Sequence, residues 1–234
     1  SELPENGEFI YQSLTQPWEV WYPRKLSCFL QGSRVLYPPM RVLIVLAHPK
    51  GDSFNAALCT RLRKGLLEAG HEADVADLYS EGFDPLLRGP ELDTLGSCRP
   101  LPDVAAYQER ILSAQALALV FPLWWFGIPA ILKGFIERVF QEEFAFRIMS
   151  TARVQGLLKH RKALILCTTG ASSLVYRALR FEPPLKKILG EWTLKSCGIR
   201  DVRQVVFYDV VTANENTRSR YLDQAYQLGL EYFQ

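Results

Sequence analysis

Apolar residues run along this chain in two different periods. Near-continuous apolar blocks fall at 41–47 (RVLIVLA), 117–123 (LALVFPL) and 162–168 (KALILCT), with further ones at 73–78 and 202–211. A block with no alternation is a strand buried on both faces, the condition of strands inside a parallel sheet. Between the blocks the spacing becomes helical: Phe54, Ala57, Leu58, Leu62, Leu66 and Ala69 share one face, and Gly70 closes the run. The same reading predicts helices over 103–114, over 130–140 with Pro129 at the first helical position, over 184–196 with a left-handed cap at Gly198, and over 215–232. Residues 79–102 mix Gly, Pro, acids and bases and predict a long loop. Strands alternating with helices make this an α/β chain, a three-layer doubly wound domain on a five-stranded parallel sheet. Such sheets bind ligands beyond the carboxyl ends of their strands, so the turns after the first, third and fourth strands are where chemistry is expected.

Residues 1–39 follow neither period and hold five of the 14 prolines and seven of the 28 aromatics, which predicts an arm at 1–39 and one domain over 40–234. The 48% hydrophobic content of the 234 residues suffices for one large core. Lys and Arg number 27 against 25 Asp and Glu, so the net charge of +2 supplies no basic field and nucleic acid is not an expected partner. The uncharged stretch 111–132 has the length of a bilayer span, but Pro122, Gly127 and Pro129 break it into a strand, a turn and a helix start, so no membrane span is expected. The opening SELPE shows no signal-peptide pattern. Cysteines 28, 59, 98, 167 and 197 are odd in number, with no C-x-x-C pair and no zinc spacing, and read as reduced thiols of a cytoplasmic protein without a metal.

The first turn reads His48-Pro49-Lys50-Gly51-Asp52-Ser53-Phe54-Asn55, which is neither a dinucleotide fingerprint nor a Walker sequence. His48, Ser53 and Asn55 and the free N–H groups of a helix start could hold a phosphate. Equally, Asp52 or Ser53 could be a plain helix cap and His48 a core residue. After the third strand, Pro122 and Leu123 lead into Trp124, Trp125 and Phe126, three large aromatics where a strand end normally turns polar. They suit a wall for a flat ligand, or else a hydrophobic satellite or a subunit interface. After the fourth strand, Thr168-Thr169-Gly170 offers hydroxyls and a bare backbone, or an ordinary turn.

The first turn and the run FPLWWFGIPAILKGFIERVF (121–140) resemble the flavodoxin-like NAD(P)H:quinone oxidoreductases, over about residues 40–211. The resemblance implies a sheet of order 2-1-3-4-5 and a flavin, FAD with FMN as the alternative, since no residue gripping the adenosine half is identifiable. It assigns the flavin to His48, Ser53, Phe54, Asn55, Pro122, Leu123, Trp124, Trp125, Phe126, Thr168, Thr169, Gly170 and Tyr176. Substrate contacts are implied for Trp125, Phe126 and Phe146, the last reaching a partner subunit's pocket in a homodimer. Tyr176 would assist the redox step; Glu182 stands where the best-studied pattern has a His, and shares the catalytic assignment. The activity implied is ping-pong two-electron transfer from NADH or NADPH to a quinone. The alternatives are an FMN-dependent nitro- or azoreductase, a flavodoxin-like carrier, a flavoprotein regulating a membrane transporter, and a flavin-free structural protein.

Overall fold

The computed structural model describes residues 38–93, 99–151, 153–180 and 182–234, and the arm expected at 1–39 falls almost wholly outside them. Five parallel strands form the sheet: β1 (Arg41–Leu46), β2 (Glu72–Asp77), β3 (Ala116–Pro122), β6 (Lys162–Thr168) and β7 (Asp201–Phe207), in the order β2-β1-β3-β6-β7. With the separate hairpin β4 (Phe146–Ser150) and β5 (Arg153–Gly156) set aside, this is the expected 2-1-3-4-5. All seven residues of β3 are buried, as are five of the six in β1, so the two apolar blocks occupy the centre. The charged β2 (EADVAD) takes an edge, where Arg110 Nη2 pairs with Asp74 at 2.9 Å.

Helices cover both faces. α1 (Phe54–Glu68) and α7 (Glu215–Glu231) cover one, crossing closely because Gly65 and Gly229 lack side chains. A Cβ on Gly65 would stand 2.2 Å from Tyr226 O. The other face carries α3 (Pro102–Ser113) and α4 (Ala130–Val139), whose Phe135 packs edge-on to Phe83 and Tyr107 at 5.5 Å. Among the described residues no helix is long and apolar enough to cross a membrane.

Several boundaries differ from the pattern. Pro129 is the residue before α4 rather than its first residue, extended at ψ 148°. The loop 79–102 contains the short helix α2 (Gly89–Leu92). The helix expected over 184–196 is a short turn, α6 (Glu182–Leu185), running into a wide π-helical segment (Lys186–Lys195); Gly198 does adopt the left-handed conformation, at φ 110°. β7 stops at Phe207, four residues before the predicted end. The hairpin and the short α5 (Ser173–Ala178) had no predicted counterpart.

Cys59, Cys167 and Cys197 are buried thiols, and burial pushes Cys59 and Cys197 up to about 12, which keeps them protonated; Cys28 and Cys98 lie outside the described residues. His71 and His160 sit just before β2 and β6, and burial holds both below the ordinary imidazole pKa. His71 Nδ1 accepts from Met40 N–H at 3.2 Å, and His160 Nε2 donates to Ile111 O at 2.9 Å. A depressed histidine pKa means that the unfolded chain takes the proton first, at about pH 6.5. The stability these neutral rings confer is therefore complete above that pH and lost as pH falls. The melting temperature is expected to be level from about pH 8 to 7 and to decline from about pH 6.5 to 5. A flat profile through that window would refute the assignment.

Candidate active site

β1, β3 and β6 end level with one another. Ala47 N–H donates to Val120 O at 2.9 Å and Leu123 N–H to Thr168 O at 2.7 Å, so three turns open side by side on the carboxyl edge. The strand order reverses between β1 and β3, which makes this edge the ligand crevice of a doubly wound sheet.

In the first turn Ser53 is the cap of α1: its Oγ accepts from Ala56 N–H at 3.2 Å. The first turn of α1 holds no acid, so the positive end of its dipole and its unpaired N–H groups are left for an anion. His48 Nδ1 lies 3.1 Å from Lys50 N–H and 3.3 Å from Lys50 O; the shorter contact, in which Nδ1 accepts, goes with a ring proton on Nε2. Burial lowers the His48 pKa, so the ring is a neutral donor there. Asn55 is buried, and its Nδ2 donates to Thr168 Oγ1 at 3.0 Å, tying the first turn to β6. Phe54 packs toward α7, with the Arg218 guanidinium 5.7 Å from its ring centre and Tyr221 at 6.5 Å.

The third turn is a two-residue hairpin. Trp124 and Gly127 exchange both backbone bonds, at 3.1 and 3.0 Å, around Trp125 at φ 50° and Phe126 at φ 61°. Two consecutive positive φ values make a type I′ turn, whose usual residues are Asn-Gly. Each bulky residue held left-handed costs roughly 1–2 kcal/mol. Strain of this kind persists where a site uses it. Trp125 is 98% exposed, so its own packing gives back almost nothing within the chain. Trp124 lies 5.8 Å from the His48 ring and Phe126 lies 5.6 Å from Tyr176, so this turn touches both its neighbours.

At the fourth turn Thr169 N–H donates to Phe207 O at 2.9 Å, and Thr169 Oγ1 accepts from Ala171 N–H at 3.1 Å. Gly170 leaves the backbone bare; a Cβ there would press on Val211 at 3.2 Å. Ser172 caps α5 and places Tyr176 beneath the turn. Burial raises the Tyr176 pKa, and the Thr169 hydroxyl opposes this by hydrogen bonding to the phenol oxygen; the net shift is upward and the phenol stays protonated at neutral pH.

The structure thus brings His48, Asn55, Trp124, Trp125, Phe126, Thr168, Thr169 and Tyr176 to one edge. Phe146 instead begins β4 and packs on the core of the α4 face. Glu182 opens α6, and its side chain lies outside the described residues.

The sequence model of the flavodoxin-like fold family matches residues 40–228. An uncharacterized NAD(P)H oxidoreductase of Haemophilus influenzae is 32% identical over 189 residues, 80% of this chain and 93% of that protein. NAD(P)H dehydrogenase [quinone] 1 of Rattus norvegicus is 31% identical over 205 residues, 78% of this chain and 74% of that protein. The chain belongs to the flavodoxin-like NAD(P)H:quinone oxidoreductase family. A solved NAD(P)H:quinone oxidoreductase from Methanothermobacter marburgensis covers 84% of this oxidoreductase and 98% of its own chain, with 28% identity and a TM-score of 0.76.

The edge of this oxidoreductase fits a flavin. The acid-free start of α1 and His48 Nε2 suit a phosphate, and the strained turn presents flat aromatic surface beside Thr168, Thr169 and Gly170. Tyr208, immediately after β7 and 5.5 Å from the Tyr176 ring, carries no sequence signal because the apolar pattern runs on to Val211 and hides the strand end. Arg218 was missed as well: on α7 it donates to Val210 O at 2.8 Å and holds the segment after β7 in place. The surface Ile148, Met149 and Val154 of the hairpin, all about half exposed, gave no signal because the two strands are short.

Proposed function

We propose that this protein is a flavin-dependent NAD(P)H:quinone oxidoreductase. The observation that carries the reading is the strained Trp125-Phe126 turn set between the His48 turn and Tyr176. A flavin held at this edge, FAD or else FMN, would supply two-electron redox chemistry between NADH or NADPH and a quinone, and the proposal is a ping-pong scheme at one shared site.

The chain's own residues do the rest. His48 Nε2 and the start of α1 hold the phosphate end, with Ser53 and Asn55 fixing that turn and Phe54 seating it on α7. Pro122, Leu123 and the turn after them support the ring, and Thr168, Thr169 and Gly170 meet its polar edge. Trp125 and Phe126 form the wall against which nicotinamide and quinone lie in turn. Tyr176, kept as a neutral phenol, donates to the oxygen on which negative charge develops during reduction. Glu182 is the second group assigned to proton handling, on the sequence alone. A homodimer is part of the proposal: the exposed Ile148 and Met149 offer apolar surface to a partner, and Phe146, which packs partly on its own core at the head of the same strand, is assigned to the partner's pocket on the family resemblance alone. The cytoplasm is the proposed compartment.

The test is the absorption spectrum of the purified protein, mass identification of released flavin, and menadione-dependent oxidation of NADH and NADPH. Menadione turnover well above that of nitrofurans and azo dyes supports the reading. The reverse order moves the protein to the nitro- and azoreductases, and a stable semiquinone with no NAD(P)H oxidation moves it to the carriers. Tyr176→Phe is expected to lower kcat about tenfold with flavin content unchanged, the effect of one hydrogen bond to a developing charge. An unchanged kcat would remove Tyr176 from the chemistry.

A further inference from the structure

Six buried side-chain atoms have no hydrogen-bond partner among the described residues: Arg61 Nε, His71 Nε2, Gln141 Nε2, His160 Nδ1, Gln204 Oε1 and Tyr208 Oη. Their places in the fold separate them. His71 and His160 stand at the amino edge of the sheet, Gln204 is in the middle of β7, Arg61 is in the middle of α1, and Gln141 lies beyond α4. Tyr208 alone belongs to the carboxyl edge, next to the turns described above.

Backbone bonds fix Tyr208 in that place. Thr169 N–H donates to Phe207 O at 2.9 Å and Val210 N–H donates to Thr169 O at 3.1 Å, so the chain on either side of Tyr208 is clipped to the fourth turn. Asp209 N–H donates to Ala171 O at 3.2 Å, and Asp209 takes φ 55°, which turns the chain away from the sheet. The Tyr208 carbonyl accepts from Tyr221 Oη–H at 3.2 Å, which anchors the residue to α7 from the other side. Its ring packs on the α4-side core and meets the Tyr176 ring edge-on, 5.5 Å between centres at 68°. The residue is thus held rigidly while its hydroxyl is given no protein acceptor. A buried hydroxyl left unmade costs about 1–3 kcal/mol, and a phenylalanine would pack there without that cost. A phenol kept in that position points to an acceptor that arrives with a ligand.

We infer that Tyr208 is a specificity residue of the acceptor pocket, its Oη–H donating to a carbonyl oxygen of the bound quinone. This rests on the proposed quinone reductase activity and adds a residue to its site. A quinone brings two carbonyl oxygens out of water, and each needs a donor. Tyr176 supplies one and Tyr208, on the neighbouring ring, the other, whereas Phe126 and Phe146 offer none.

The test is Tyr208→Phe, which removes the hydroxyl and leaves the ring. A hydroxyl without a protein partner can be deleted without loss, so the melting temperature of the flavin-free protein is expected to stay level or rise. Flavin content and the KM for NADH or NADPH are expected to be unchanged, while the KM for menadione rises about 3- to 10-fold at nearly constant kcat, as for one lost neutral hydrogen bond. A lowered melting temperature would make the hydroxyl a structural one and overturn the inference. Weakened flavin binding would overturn it too, by assigning the hydroxyl to the cofactor. An unchanged menadione KM in a variant of an active wild type overturns the inference alone; a flavin-loaded wild type that does not reduce menadione overturns it together with the proposed function.

Discussion

Replacing Trp125-Phe126 with Asn-Gly is expected to make the flavin-free protein more stable and the loaded enzyme far less active. Asn-Gly is the preferred pair for a turn with positive φ at both central positions, and here those positions carry φ 50° and 61°. Relief of the strain at two bulky residues is offset in part by the extra freedom glycine gives the unfolded chain, leaving a net gain of about 1–2 kcal/mol. Trp125, 98% exposed, forfeits almost no packing, and the contact of Phe126 with Tyr176 is what the exchange gives up. A domain of this size should respond with a rise in melting temperature of about 2–8 °C. Activity should move the other way. Without the aromatic wall the nicotinamide and the quinone lose the surface that orients them for hydride transfer, and such misplacement costs roughly 10²-fold in kcat/KM. Calorimetry and menadione reduction on one preparation read both signs. A lower melting temperature would refute the strain account, and undiminished turnover would remove the turn from the site.

That turn also shows how far the sequence alone could be read. Its three aromatics at the end of an apolar block were visible, and so was their place at the ligand crevice, because both follow from composition and period. Their backbone conformation was not: no propensity places Trp and Phe in the left-handed region, and only the paired bonds between Trp124 and Gly127 reveal it. Asn55 and Thr168 illustrate a different limit. Both are drawn to the site by sequence, yet the structure bonds them to each other across 113 residues, a pairing that depends on strand register. The central strands β1, β3 and β6 were legible because burial on both faces leaves continuous apolar text, whereas the edge strands β2 and β7 are only partly buried and carry charges. The hairpin Phe146–Gly156 was not, because four of the five residues in β4 are exposed and no face repeats. The region after Pro183 misled for a related reason: an apolar spacing close to helical fits the wide segment Lys186–Lys195 nearly as well as an α-helix.

The largest loss of stability is expected from Arg138→Met. Arg138 lies on α4, in the run where sequence pattern drew attention to the aromatics, and its side chain is only 3% exposed, as is that of its partner Glu91. Nε donates to both Glu91 oxygens at 2.9 and 3.1 Å, and Nη1 donates to Asp84 O at 2.6 Å and Asp103 Oδ2 at 2.9 Å. One guanidinium therefore fastens α2, the loop before it and the start of α3 onto α4. Methionine fills much of the same volume but takes away the cation that the buried Glu91 carboxylate faces, a change worth about 3–5 kcal/mol. The melting temperature should fall by about 6–20 °C in a domain of this size. The pair itself need not stabilise the fold, since desolvation of both ions offsets most of their attraction. Adding Glu91→Leu to Arg138→Met is therefore expected to recover most of the loss, although Asp103 and the Asp84 carbonyl still forfeit a donor. A double variant as unstable as the single one would mean that the hydrogen bonds to Asp84 and Asp103, rather than the pairing with Glu91, hold the loop. Because α4 follows directly from the Trp124–Gly127 turn, the single variant should also loosen flavin binding, and the double variant should regain it in step with the melting temperature.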